Sequence, residues 1–371
     1  MKPENLVDYL RCIPDPRVRR TRRHELPELL FITLAAVICG AEHWTHVEEF
    51  GKANRKWFES FLHLPHGIPS HDTFGRVFSL LEPDALEQAL RAFVVDFAGG
   101  SAGKQIAIDG KTLRRSFDRA AQASAIHMVS AWVYENHAVF GQVKVKDKSN
   151  EITAIPELLK LLDLKGATVT MDAMGCQKEL AKQIVEGGGN YVLSLKGNQD
   201  TLHTEVREFF EDVRTGILDA PVETDTTLEK DHGRIEKRTT RLSRDVQWLY
   251  EADKWLGLSA IAEVHSQRTI ADKTTSERRY YLCSTNATAK DVGRFVRQHW
   301  SIENELHWVL DVGFREDLCR VRAKNAAENL ARIRRVALTI LKRDSNAKVG
   351  VQGRRLKAAW DKAYLLKLLS L

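Results

Sequence analysis

The chain has 371 residues and a formal net charge of +6, with 43% hydrophobic and 29% charged residues. That composition excludes the disordered, collagen-like and membrane-embedded classes, and the length suits one large domain with a smaller appendage. Five scattered cysteines without a CxxC pair exclude a disulfide framework or zinc ribbon and predict a reducing compartment.

From the start to about residue 100 the pattern is helical. Pro27 opens a turn before the apolar run Leu29 to Gly40. That run falls short of the roughly 20 apolar residues a bilayer span needs, so it predicts a buried helix and a cytoplasmic protein. Amphipathic stretches follow from Trp44 to Phe61 and from Asp84 to Phe97. Between them Pro65, Gly67 and Pro69 mark a loop, and Ser70 or Asp72 can cap a helix beginning near Thr73. Basic residues gather toward both ends, Arg17 to Arg23 and Arg332 to Lys357. They read equally as solvated faces or as contacts to phosphates.

The small-residue break GGSAGK at 99–104 predicts a boundary between a helical module, 1–100, and a second domain, 101–345. QIAID, AIHMVSAWVY and HAVFGQVKV read as three strands, with Asn136 in the turn joining the last two. A helix (EITAIPELLKLLDL), a short strand (ATVTMD), a helix closed by glycines (CQKELAKQIVEGG) and a strand (NYVLSLK) follow. The order β-β-β-α-β-α-β predicts an α/β fold of ribonuclease-H-like type, a mixed sheet flanked by helices. A β-rich insertion occupies about 222–285, where Trp248 and Trp255 read as core residues rather than as platforms for unstacked bases. One long amphipathic helix is predicted from Ala289 to about Val312, another from Ala323 to Lys342, and a basic tail over 346–371.

Three acids stand in unusual settings within these elements. Asp109 in IAIDGKTLRRS and Asp172 in VTMDAMGCQ each end a strand, and Glu303 in HWSIENELHW lies in a helix. Trp300, Glu303, His307 and Asp311 recur there on one face. Single aspartates after strands are usually caps or turn residues, and a helical glutamate four residues from a histidine is often a surface pair. Glu305, Asp311, Glu316 and Asp317 are rival carboxylates. Taken with the strand order, two strand ends and one helix converge on one divalent-metal site. Two Mg²⁺ ions about 3.5–4 Å apart can activate a water and stabilise a leaving alkoxide, which is phosphodiester chemistry.

These segments, with LKGNQ at 196–199 and its preceding leucine, DHGRIEKR at 231–238, HWSIENELHWVLDVGFRED at 299–317 and IPSHDTFGRVF at 68–78, resemble bacterial insertion-sequence transposases of the DDE type. The likeness covers nearly the whole chain and is strongest to the H-repeat-associated proteins. It implies that Asp109, Asp172 and Glu303 bind two Mg²⁺, with Mn²⁺ able to substitute. It further implies cleavage of double-stranded DNA at terminal inverted repeats, joining of the 3′ hydroxyls to target DNA, and a homodimer as the active complex. One departure is plain: the Tyr, Arg and Lys that the broader group often places around its glutamate are here Val296, His299 and Leu310. The route of excision therefore stays open.

Lys111, Arg114 and Arg115, directly after Asp109, are expected to hold the DNA backbone beside the metals, as are Arg297 and His299 beside Glu303. Lys196, Asn198 and Gln199 form a strand-end loop that serves either as the rim of the site or as an ordinary turn. Two further readings remain open, a DNA-binding remnant without catalysis and a structure-specific nuclease.

Overall fold

The computed structural model describes residues 5–117, 124–146, 149–231, 233–271, 273–344 and 347–369. Six helices come first: α1 (Leu6–Arg11), α2 (Leu26–Ile38), α3 (Trp44–Ala53), α4 (Arg55–Phe58), α5 (His71–Leu80) and α6 (Pro83–Ala98). Proline opens both α2 and α6, where its missing N–H costs no helical bond. The Ser70 hydroxyl caps α5 by accepting from the Thr73 amide. The stretch from Trp44 to Phe61 is broken at Asn54, which closes α3 and opens α4.

The sheet begins with β1 (Gln105–Thr112), β2 (His127–Val133) and β3 (Ala138–Lys144), all antiparallel neighbours. Asn136 lies in the turn between β2 and β3, and its side-chain amide donates to the carbonyls of Ala98 and Gly99, tying that turn to the end of α6. Helix α7 (Glu151–Lys160) leads to β4 (Thr168–Met171), and α8 (Lys178–Glu186) leads to β5 (Asn190–Leu195). Helical crossovers make β1, β4 and β5 parallel to one another. Strands β2, β4 and β5 are buried at nearly every position, so both faces of this part of the sheet are covered.

A helix not foreseen, α9 (Asp200–Thr215), follows, burying Leu202, Val206, Phe209 and Phe210 and ending at left-handed Gly216. The expected insertion is a four-stranded meander, β6 (Glu223–Asp231), β7 (Arg234–Ser243), β8 (Ala260–Ile270) and β9 (Lys273–Cys283). It continues the main sheet, because β9 pairs antiparallel with β5. The result is one nine-stranded mixed sheet of order β3-β2-β1-β4-β5-β9-β8-β7-β6. Trp255 is buried, and Trp248 stacks on Phe209.

The long helix predicted from Ala289 to Val312 is not uniform. It is α10 (Ala289–His299), a π-helical turn (Ile302–His307) and α11 (Trp308–Phe314). Then comes α12 (Ala326–Arg343), buried on nearly every side. Arg332 on α12 pairs with Glu328 at 2.7 Å and with Glu87 of α6 at 3.0 Å, and Arg335 pairs with Glu316 at 3.0 Å. These arginines are therefore neither solvated nor free for phosphates. The expected tail forms α13 (Val351–Trp360) and α14 (Lys362–Leu368), and the buried Arg355 donates to the carbonyls of Gly313 and Val37. At the other end Arg17 and Arg22 are held by Asp15 and by backbone carbonyls, while Arg19, Arg20 and Arg23 face solvent. One apolar cluster runs from Leu6 to Leu369, so the helical module, the sheet and the C-terminal helices share a core. Among the described residues no helix is long and apolar enough to cross a membrane.

Candidate active site

Strand register brings the two aspartates together. Ile108 of β1 is paired with Met171 of β4, so the next residues, Asp109 and Asp172, stand side by side at the carboxyl ends of the paired segments. In parallel α/β sheets that edge is where ligands bind. Asp109 lies within β1 and is held rigidly by the ladder. Asp172 caps the short turn Ala173–Gly175, its Oδ1 accepting from the Met174 amide at 3.0 Å. That turn is clamped from behind: the Asn198 and Gln199 side chains donate to the carbonyls of Ala173 and Cys176. The LKGNQ loop thus supports Asp172 with two of its residues, while Lys196 stays exposed and lines a small cavity with Asp172 and His299.

Glu303 reaches the same place through the π turn, in which the Trp308 amide donates five residues back to the Glu303 carbonyl. The turn is anchored to the sheet by Trp132 of β2, whose indole N–H donates to the Ser301 hydroxyl at 3.0 Å. Wide turns of this kind often occur at functional sites. Between the acids stands His307. Its Nδ1 lies 3.4 Å from Oδ2 of Asp109 and 3.9 Å from Oε2 of Glu303. The imidazole is 7% exposed, Asp109 is 25% exposed and Glu303 is 60% exposed. Asp109, Glu303 and His307 each offer a ligand atom within 4.8 Å of the others.

Burial pushes the Asp109 carboxyl up to about 6; the His307 ring opposes this, and the charges of Glu151 and Asp172 add to it. Glu303 moves the other way, drawn below the usual range chiefly by the nearby His307 ring. Gly110 makes room for the crowding: a Cβ there would sit 2.3 Å from Oε1 of Glu151, which is paired with His127 across the strand.

Of the five carboxylates between 303 and 317, Glu303 is the one that shares His307 with Asp109. Glu305 pairs with His137 and Lys342; burial raises its carboxyl, but these two partners hold it down at about 2. Asp311 and Asp317 both pair with Lys111, and Glu316 is buried against Arg335.

Two residues expected at a phosphate are occupied elsewhere. Lys111 is buried, with Nζ 2.6 Å from Asp311 and 3.3 Å from Asp317, so it joins β1 to α11. His299 is buried too, its Nδ1 3.0 Å from the Thr170 hydroxyl, and burial together with the nearby Arg279 pushes its pKa down to about 4. A neutral, enclosed imidazole is a poor phosphate contact. Arg114 is exposed and 3.2 Å from Asp317, and Arg115 is exposed on the same loop. Arg297 is half exposed in a cleft of about 640 Å³ that reaches Glu303. Arg234, Arg238, Arg268 and Arg279 also line it, with Trp300 beneath Arg279 at 4.7 Å. Missed in the sequence are the place of His307, there weighed as a surface partner, and this row of cleft-lining arginines on β7 to β9, of which Arg234, Arg238 and Arg279 are paired with Glu236, Glu229 and Glu277. Alternation along those strands is the signal that would have found the row.

Sequence comparisons meet this geometry. A family model described as "Transposase DDE domain" matches residues 100–340, and one described as DDE_Tnp_1-associated matches residues 7–94. The chain belongs to the DDE transposase family. Within it the resemblance is to H repeat-associated insertion-sequence transposases of bacteria. YhhI of Escherichia coli K12, named as an H repeat-associated candidate transposase, is 38% identical over 376 residues, covering 100% of this chain and 99% of its own. YncI of Escherichia coli O157:H7, also named as a candidate transposase, is 40% identical over 374 residues, covering 100% and 95%. Among solved structures, a piggyBac transposase synaptic complex with hairpin DNA aligns over 95% of this chain and 75% of its own, with a TM-score of 0.44 and 12% identity.

Proposed function

We propose that this chain cuts double-stranded DNA at the terminal inverted repeats of an insertion sequence and joins the freed 3′ hydroxyls to target DNA, using Asp109, Asp172 and Glu303. The observation that carries this reading is that Asp109, set beside Asp172 by the register of β1 and β4, faces Glu303 of the π turn across His307, while the rival carboxylates are held in ion pairs. The antiparallel order β3-β2-β1 followed by parallel β4 and β5 supports a ribonuclease-H-like framework.

The residues fit divalent cations. Asp109 is a partly buried carboxylate whose charge is disfavoured by desolvation and by neighbouring acids, a state that a cation relieves. Asp109, Asp172 and Glu303 would hold the ions, Mg²⁺ or Mn²⁺, which when bound make water a better nucleophile and stabilise the leaving oxygen. The protein supplies the rest. Strand β1 fixes Asp109, the Asn198 and Gln199 clamps fix the Asp172 turn, and the exposed Glu303 can adjust to the substrate. Arg297, Lys196, Arg114 and Arg115 offer exposed positive charge to phosphates around the centre. In cleavage a water oxygen attacks phosphorus and a 3′ oxygen departs with a proton. In joining, that 3′ hydroxyl attacks a target phosphodiester and displaces another 3′ oxygen. The two steps are chemically alike, so one centre serves both. Two ends must be handled together, and a homodimer bringing one centre to each end meets that need.

The test is a labelled duplex carrying the DNA that flanks the reading frame, incubated with Mg²⁺ or Mn²⁺. Wild-type protein is expected to cut at the repeat boundary, whereas Asp172→Asn and Glu303→Gln retain the duplex in a shift assay without cutting it. Binding without cleavage by wild type would mean a DNA-binding remnant, and cleavage of duplexes lacking repeats would mean a nuclease.

A further inference from the structure

His307 stands inside the carboxylate cluster, yet the reading above gives it no task. Its ring is more than nine-tenths buried, Nδ1 is directed between Asp109 and Glu303, and Nε2 is buried with no hydrogen-bond partner. Its neighbours hold it there, since Leu306 and Leu310 are fully buried on either side and the π turn is pinned through Ser301 to Trp132.

With Nδ1 facing both carboxylates, the ring can present that nitrogen to whatever Asp109 and Glu303 bind. Donors that share one first-row cation are separated by at most about 4.2 Å, twice a bond of roughly 2.1 Å. The separations from His307 to Asp109 and Glu303, 3.4 and 3.9 Å, lie within that limit.

We propose that His307 is a nitrogen ligand to the cation held between Asp109 and Glu303, giving a mixed nitrogen and oxygen donor set that prefers Mn²⁺ to Mg²⁺. The inference rests on the reading of the three carboxylates as a cation centre. The preference follows from ligand chemistry: Mg²⁺ takes oxygen donors and gives up its waters reluctantly, whereas imidazole suits transition ions. An all-carboxylate centre would discriminate far less.

Mn²⁺ itself is the probe, added to the full chain without DNA. Electron spin-echo modulation of the bound ion is expected to show one ¹⁴N coupling, and titration is expected to show Mn²⁺ binding more tightly than Mg²⁺. His307→Gln should keep Mn²⁺ but lose the nitrogen coupling, with Mn²⁺ affinity falling roughly tenfold or more and approaching that for Mg²⁺. Bound Mn²⁺ without nitrogen coupling in the wild type would overturn the proposal and leave the carboxylate centre standing. A coupling that survives in His307→Gln would equally overturn it. Failure of the wild type to bind Mn²⁺ at all would remove the cation centre itself. The wild-type spectrum decides ligation even where the variant does not fold.

Discussion

His299 and His307 lie eight residues apart and are held in different ways. His299 extends the buried stripe of α10, Ala289, Val292 and Val296, and packs against Thr170 of β4 with its pKa pushed down to about 4. The folded protein therefore keeps this ring neutral while the unfolded chain takes up a proton near pH 6.5. Its contribution to stability is fully present above pH 6.5, shrinks as pH falls and is gone below about 4. The shift corresponds to ~3 kcal/mol. Replacing His299 with Gln is expected to flatten the acid side of a plot of melting temperature against pH between 4 and 6.5; an unchanged slope would mean the ring is not held neutral. From the sequence His299 reads as a phosphate contact instead, although a histidine three residues beyond Val296 also continues an apolar face. Asp109, Asp172 and Glu303 were singled out for a different reason: each sits in a local motif that marks it apart from ordinary turn and surface acids. His307 was read as a surface partner of Glu303, because nothing local tells that β1 passes beneath it.

At the scale of elements, Lys111 shows how a strand decides the fate of a side chain. It follows Asp109 by two positions, so pleating puts both on the same face of β1, under the π turn and α11. There it meets Asp311 and Asp317. Lys111→Ala would leave two partly buried carboxylates facing each other without a cation. The expected loss is about 2–3 kcal/mol, below the value for a fully buried pair because Asp311 is one-third exposed. Urea unfolding measures it, and a shift in the salt dependence of DNA binding with unchanged stability would instead return Lys111 to the phosphates. The π turn was not legible either. Over six residues its spacing differs too little from the α-helical one to disturb the apolar pattern from Phe295 through Ile302 and Leu306 to Val309. Its consequence is large all the same, since the turn sets how Glu303 and His307 present themselves to Asp109.

Across the whole molecule the arginines of α12 reverse the expectation that basic residues near the ends lie at the surface. Helix α12 runs through the shared core between the N-terminal helices and the sheet, and Arg332, Arg334 and Arg335 are buried with Glu87, Glu328 and Glu316 around them. Arg335→Ala leaves Glu316 in the interior with only the more distant Arg334, 4.0 Å away, and is expected to cost roughly 3 kcal/mol. The double variant Arg335→Met with Glu316→Gln should lose much less, a contrast that a double-mutant cycle on thermal unfolding resolves. Additive losses would mean the two side chains do not depend on each other. By itself the sequence determined the β-β-β-α-β-α-β order that opens the sheet, because hydrophobic period and turn residues are local signals, and it singled out the three acids as candidates through short motifs. Tertiary structure alone decided that β6 to β9 extend the main sheet, that the basic C-terminal stretch is packed as helices, and that His307 rather than Lys111 or His299 stands beside the carboxylates. Each of these outcomes depends on which distant element covers a given face, and such pairings leave no periodic trace along the chain.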